Sequence, residues 1–191
     1  TIFSFEVFPP KKESGIETVY DTIEKLTDLK PDFISVTYGA GGSGVTNPIT
    51  KDICSKIKNE YKLETIAHLS CINNTKDEID KILEELKKEG IDNILALRGD
   101  RVEGLEPKKD FTYASDLTKY IMDKGGFHVS GACYPEVHME AKDAVDDIKN
   151  LKKKVDAGAD HLISQLFFDN RVFYDFLERA RIADINVPIE A

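Results

Sequence analysis

The chain has 191 residues, with 26 Lys and Arg against 35 Asp and Glu and a formal net charge of −9. That balance argues against nucleic acid as a main partner. No apolar run reaches transmembrane length, so no membrane association is expected, and no signal peptide is expected ahead of the first strand. Cys54, Cys71 and Cys133 are odd in number and widely spaced. They predict reduced, buried thiols in a cytoplasmic protein, not disulfides, and the Asn73-Asn74-Thr75 sequon then has no role. Neither the cysteines nor the histidines cluster as metal ligands, so no metal is expected.

In chain order, apolar runs fall at residues 2–8, 32–38, 65–71, 93–98, 128–134 and 161–168. They are β-branched or aromatic-rich and nearly continuous, as strands covered on both faces are. After the second run, Asn47-Pro48 reads as an N-cap followed by proline at the first helical position. Over residues 78–90, Ile79, Ile82, Leu83 and Leu86 share one face and charges fill the rest. Lys87, Lys88 and Gly90 mark the end of that helix. The fourth run leads into a polar loop, residues 101–110, with Gly104 and Pro107. A long helix is predicted from near Glu140 to a stop at Ala157-Gly158-Ala159. A seventh apolar stretch opens at Val187-Pro188-Ile189.

Glu6, Thr37, His68, Asp100, Tyr134 and Gln165 stand near the ends of the six runs, at steps of 31, 31, 32, 34 and 31 residues. One strand, one helix and two short loops have this length. The expected fold is therefore α/β, a (β/α)8 barrel of TIM type, of which about six strand–helix units and the start of a seventh are present. Such a barrel ordinarily takes about 250 residues. A single domain over residues 1–191 is predicted, incomplete at its C-terminal side and completed by further chain or by a partner. The loops after the strands of such a barrel gather on one face, so six polar residues in phase would meet there. A polar group at the end of a buried strand is costly unless it is paired or used.

Gly39-Ala40-Gly41-Gly42-Ser43-Gly44 fits the dinucleotide pattern G-x-G-x-x-G and follows a strand. A Rossmann unit also needs the helix to begin inside the motif and an acidic residue at the end of the next strand. Here the helix is predicted from Pro48 and the next strand ends in Ser70-Cys71. The glycines are better read as a loop bringing backbone close to a ligand. A nicotinamide-only oxidoreductase that depends on Gly39, Gly41 and Gly44 remains the alternative.

Ser4-Phe5-Glu6-Val7-Phe8-Pro9-Pro10-Lys11 resembles the opening strand of methylenetetrahydrofolate reductases. Ser35-Val36-Thr37-Tyr38-Gly39-Ala40, His68-Leu69-Ser70-Cys71-Ile72 and Leu97-Arg98-Gly99-Asp100 continue the likeness. So do Tyr113-Ala114-Ser115-Asp116, Tyr134-Pro135-Glu136-Val137-His138 and Gln165-Leu166-Phe167-Phe168-Asp169, in family order over essentially the whole chain. The resemblance implies a barrel that binds FAD at the C-terminal ends of its strands. It also implies hydride passage from NADH or NADPH through the flavin to 5,10-methylenetetrahydrofolate, in a ping-pong scheme. A homo-oligomer or completion by a partner subunit is expected. The alternative within this reading is a flavin-holding electron-transfer subunit.

By resemblance Glu6 is the catalytic acid that protonates the departing folate nitrogen. An apolar strand would raise its pKa as that role requires; a structural glutamate paired with a base is the other reading. Asp100 matches the catalytic aspartate beside flavin and pterin, and a carboxylate there favours a cationic iminium. Gln165 matches the glutamine that contacts folate, with an amide able to donate and accept. Glu6 and Asp100 also fall on folate-binding positions. Thr37, Tyr38, Ala40, His68, Arg98, Gly99, Asp100, Tyr113, Ala114, Tyr134, His138 and Ala141 match FAD contacts. Asp147, Asn150 and Lys154 lie at steps of 3 and 4, hence on one helical face, with Lys153 beside it. The family uses the matching positions for the ribose and diphosphate of FAD. Met139 stands where many relatives have proline, and Ser70 where threonine is frequent.

Overall fold

The computed structural model describes residues 2–10, 13–38, 48–101, 104 and 106–191. Ala40, the glycine-rich run around it and Asn47 lie outside the described residues.

Strand and helix alternate throughout. The order is β1 (Ser4–Val7), α1 (Ile16–Thr27), β2 (Phe33–Val36), α2 (Pro48–Asn59), β3 (Glu64–Ser70), α3 (Lys76–Lys88), β4 (Asn93–Leu97), α4 (Ala114–Lys124), β5 (His128–Cys133), α5 (Ala144–Asp156), β6 (His161–Ser164), α6 (Asn170–Ile182) and β7 (Ile189–Glu190). A 3-10 turn, Glu13–Gly15, leads into α1. All seven strands join one parallel sheet in the order β1-β2-β3-β4-β5-β6-β7. This is a partial TIM-type barrel. Each expected strand forms, the seventh as a two-residue start.

The strand order never reverses among the described strands. A doubly wound dinucleotide fold binds its ligand where the order does reverse, at a switch point this sheet lacks. The Rossmann alternative is set aside on topology.

Paired residues in a parallel ladder point the same way, and successive residues alternate. The register Val36↔Ala67↔Ile94↔Val129 therefore defines the outer face. These four side chains are buried with Val7, Ile34, Leu69 and Ala96 against helix residues such as Ile23, Ile53, Ile79, Leu117 and Ile121. A second core joins Cys133 and Leu162 to Ile148, Leu151, Phe176 and Ala180. The apolar core thus fills the layer between sheet and helices. The inner face carries Ser4 and Glu6, then Ser35, Ile66 and His68, then Leu95, Ser130, His161, Ile163 and Glu190. Polar groups dominate it.

Two boundaries differ from expectation. The helix over residues 78–90 starts earlier, at Lys76, because Thr75 and Glu78 form a capping box: Thr75 Oγ1 accepts from the Glu78 amide and the Glu78 carboxylate accepts from the Thr75 amide. The helix expected from Glu140 starts later, at Ala144, because the Asp143 carboxylate accepts from the amides of Val145 and Asp146. Val137, at φ +72°, keeps the preceding segment out of helix. No helix among the described residues is long and apolar enough to cross a membrane.

Candidate functional site

The six phased residues follow the strands as expected. Glu6 and His68 lie within β1 and β3; Thr37, Tyr134 and Gln165 come one residue after β2, β5 and β6, and Asp100 three residues after β4. All stand at the C-terminal ends of the parallel strands, where the following loops gather.

Glu6 has two close neighbours from adjacent strands. Ser35 Oγ donates to its Oε2 at 3.4 Å, and His68 Nε2 stands 3.4 Å from the same oxygen. Partial burial raises the Glu6 pKa, against a smaller lowering by the Ser35 hydroxyl. His68 is 7% exposed, and burial pushes its pKa down to about 4. The imidazole is therefore neutral near pH 7, and its contact with Glu6 is not an ion pair. Its Nε2 is buried without a hydrogen-bond partner. A carboxyl whose pKa is raised, beside a neutral imidazole, is suited to giving up a proton.

A second group lies after β4 and β5. The Arg98 guanidinium grips Glu140 with both terminal nitrogens, Nη2 donating to Oε1 at 2.9 Å and Nη1 to Oε2. That fork holds the Glu140 carboxyl down to about 2. Asp100 is exposed; the Glu140 hydrogen bond raises the pKa of Arg98 and burial raises that of Tyr134, and the Asp100 charge adds to each in the same direction. The Tyr134 ring meets His138 edge-on at 4.6 Å between centroids. Lys154 Nζ lies 5.8 Å from the Tyr134 ring and donates to the Ala132 carbonyl at 2.8 Å. Burial lowers the Lys154 pKa and raises that of Asp147. The Asp147 carboxylate accepts from the His138 amide at 3.3 Å, and the Ala141 amide donates to the His138 carbonyl.

Gly99 sits between these groups at φ +87°, and a Cβ there would come 3.0 Å from Ser70 Cβ. Around it, Thr50 Oγ1 donates to the Thr37 carbonyl at 3.0 Å and Asn74 Nδ2 to the Tyr38 hydroxyl at 3.5 Å. Tyr113 is 62% exposed and Ala114, the first residue of α4, is buried. Gln165 is exposed, and its backbone N–H donates to the Cys133 carbonyl at 2.8 Å.

The expected face on α5 divides. Lys154 turns inward beneath Tyr134, near Asp147, while Lys153 is exposed and donates to Asn150 Oδ1 at 2.9 Å. The pair Asn150–Lys153 faces solvent, and Asp147–Lys154 faces the strand ends. Sequence reasoning missed Ser35 and Glu140. Ser35 could have been found by the period of two from Thr37; Glu140 lies 42 residues from its partner and had no local signal.

A family model described as methylenetetrahydrofolate reductase matches residues 1–191. The chain is 45% identical over 186 residues to 5,10-methylenetetrahydrofolate reductase of Escherichia coli K12, covering 97% of this chain and 62% of that protein. It is 40% identical over 204 residues to methylenetetrahydrofolate reductase (NADH) 1 of Arabidopsis thaliana, covering 99% of this chain and 34% of that one. The chain thus spans about a third to three-fifths of these relatives' lengths. Among solved structures, a 2,3-dimethylmalate lyase of the PEP mutase/isocitrate lyase superfamily superposes with a TM-score of 0.63 at 10% identity, over all of this chain and 74% of the other. A mandelate racemase/muconate lactonizing protein of Paracoccus denitrificans gives 0.61 at 6% identity, over all of this chain and 47% of the other. At such identities the likeness is one of fold alone.

Proposed function

The chain belongs to the methylenetetrahydrofolate reductase family, and from that premise we propose that it carries the barrel portion of an FAD-dependent enzyme reducing 5,10-methylenetetrahydrofolate to 5-methyltetrahydrofolate. FAD, when bound, supplies the hydride carrier between a reduced nicotinamide, NADH or NADPH, and the folate. The plant relative is named for NADH.

The observation that carries this reading is Glu6: an inward carboxyl with a raised pKa, sharing one oxygen between Ser35 and a neutral His68. Opening the folate's five-membered ring needs a proton on the departing nitrogen. The raised pKa favours the protonated form of Glu6, which can pass its proton to a substrate seated over the strand ends. Asp100, exposed beside Arg98 and Tyr134, supplies negative charge where a cationic iminium forms. The exposed Gln165 amide offers a donor and an acceptor to a pterin edge.

The donor set also fits FAD. Gly99 keeps the backbone open after β4, Tyr134 and His138 present ring surfaces, and Lys154 and Arg98, the latter forked to Glu140, bring positive charge to the strand ends for a diphosphate, while Lys153 stands on the solvent side of α5. Thr37, Tyr38, His68, Tyr113, Ala114, Ala141, Asp147 and Asn150 complete the surround. Buried, free thiols accord with a reducing compartment such as the cytoplasm.

The test is made on purified protein. A visible flavin spectrum that survives removal of excess FAD is expected. Glu6→Gln should then leave reduction of the flavin by NADH within about twofold of wild type and slow reoxidation by folate at least about 100-fold. Equal loss of both half-reactions would remove Glu6 as the acid. A flavin that is reduced but never reoxidised by folate, in the unmutated protein, would leave an electron-transfer subunit in place of a reductase.

A further inference from the structure

Below Glu6, on the same inner face, lies a second polar group that the proposed chemistry does not use. Glu190 comes from β7, His161 from β6, Ser130 from β5 and Ser4 from β1. Ser4 Oγ donates to Glu190 Oε1 at 2.5 Å. His161 Nε2 lies 3.6 Å from Glu190 Oε2, with side-chain exposures of 19% and 13%. Ser130 Oγ stands 3.3 Å from His161 Nδ1. His161 Nε2 and Glu190 Oε2 are buried without a hydrogen-bond partner. The residue types are those of a nucleophile triad, yet Ser130 is only 6% exposed, so a nucleophile there would meet no substrate.

The group has a different geometric consequence. No ladder joins β1 and β7 among the described residues. There β1 pairs with β2. The Ser4–Glu190 bond joins β1 to β7 by side chains across the inside of the barrel. Ser4 precedes Glu6 by two residues, so both side chains point the same way, about 7 Å apart along the strand. Holding Ser4 fixes the rotation and height of β1, and with them where the Glu6 carboxyl meets Ser35 and His68. A carboxylate with so little exposure is costly to place, and Ser4 and His161 are the groups that face it.

We propose that Glu190 is a positioning residue for the acid: through Ser4, and braced by His161 and Ser130, it aims Glu6 at the folate. This rests on the reductase reading. A displacement of about 1 Å at a reacting group can slow a reaction by up to about 100-fold, so a tie of one hydrogen bond is a strong lever.

The experiment uses the full-length, FAD-loaded protein that carries this chain, as wild type, Ser4→Ala, Glu190→Ala and the double variant. Each single variant should slow the folate half-reaction about tenfold at saturating folate, with the folate KM moved less than about twofold. Reduction of the flavin by NADH should not change, because it needs no acid. The double variant should be no slower than the slower single, since both remove one bond. Glu190→Gln retains an oxygen for Ser4 and should restore most of the rate. Additive losses, or parallel loss of both half-reactions, would overturn the proposal. A wild-type protein without any folate half-reaction would overturn the reductase reading instead. Thermal unfolding of the same four proteins would then decide the tie, coupled melting shifts supporting it and additive shifts overturning it.

Discussion

A carboxyl proposed to give up a proton has first to keep one, and two features of Glu6 favour that. Partial burial raises its pKa, and the imidazole at 3.4 Å is neutral, so it does not favour the ionised form as an imidazolium would. The opposite arrangement stands after β4, where Arg98 grips Glu140 and holds it ionised. Gly99 lies between these environments, and its demands are separable by substitution. Gly99→Ala meets both the left-handed backbone and a Cβ contact at 3.0 Å, whereas Gly90→Ala at φ +74° meets only the backbone, with nothing within 4 Å. Gly90→Ala should cost about 1 kcal/mol in urea unfolding and Gly99→Ala at least about 2 kcal/mol. Gly99→Ala alone should also weaken flavin retention, since it wedges the ends of β3 and β4 apart. Equal costs at the two positions would show that the Ser70 contact relaxes freely.

At the scale of elements, the outer faces of the strands were legible in the sequence because each strand is apolar on the side that meets a helix. Its inner polar residues recur in phase with the strand–helix repeat. The helix starts were less legible, because the apolar stripe says where a helix is buried and side-chain caps say where it begins. Thr75-Lys76-Asp77-Glu78 carries a capping pattern ahead of the stripe on α3, and Asp143 ends the polar stretch that reads as helix from Glu140. Thr75→Ala should cost about 1 kcal/mol in urea unfolding, and Thr75→Ser should recover most of it. If Thr75→Ala lost less than about 0.3 kcal/mol, the neighbouring bond from the Lys76 amide to Asp110, 2.8 Å long, would be holding the helix start by itself. Contacts between segments far apart in sequence, such as Arg98 with Glu140 and Ser4 with Glu190, had no sequence signal. Each depends on the curvature that brings separate strand ends together.

At the scale of the whole molecule, a polar interior makes stability depend on pH, and the direction follows from His68. The folded protein protonates this imidazole only near pH 4, whereas the unfolded chain does so near the ordinary value of 6.5. Between those values the unfolded state binds the extra proton, so stability is full above about pH 6.5 and falls as the pH drops toward 4. The loss over that window is about 3 kcal/mol. Glu6 acts in the other direction: its folded pKa lies above the ordinary value of 4.5, so the folded state takes up that proton first and recovers part of the loss. His68→Asn removes the first effect and leaves the second. Urea unfolding at pH 7.5 and 4.5 should show wild type losing more stability on acidification than His68→Asn, by about 2 kcal/mol. The variant should be less stable than wild type at pH 7.5, where the imidazole still fills its place beneath Glu6, and the gap should narrow at pH 4.5. Identical losses in the two proteins would mean that His68 is solvated in solution and that its burial does not set the acid response.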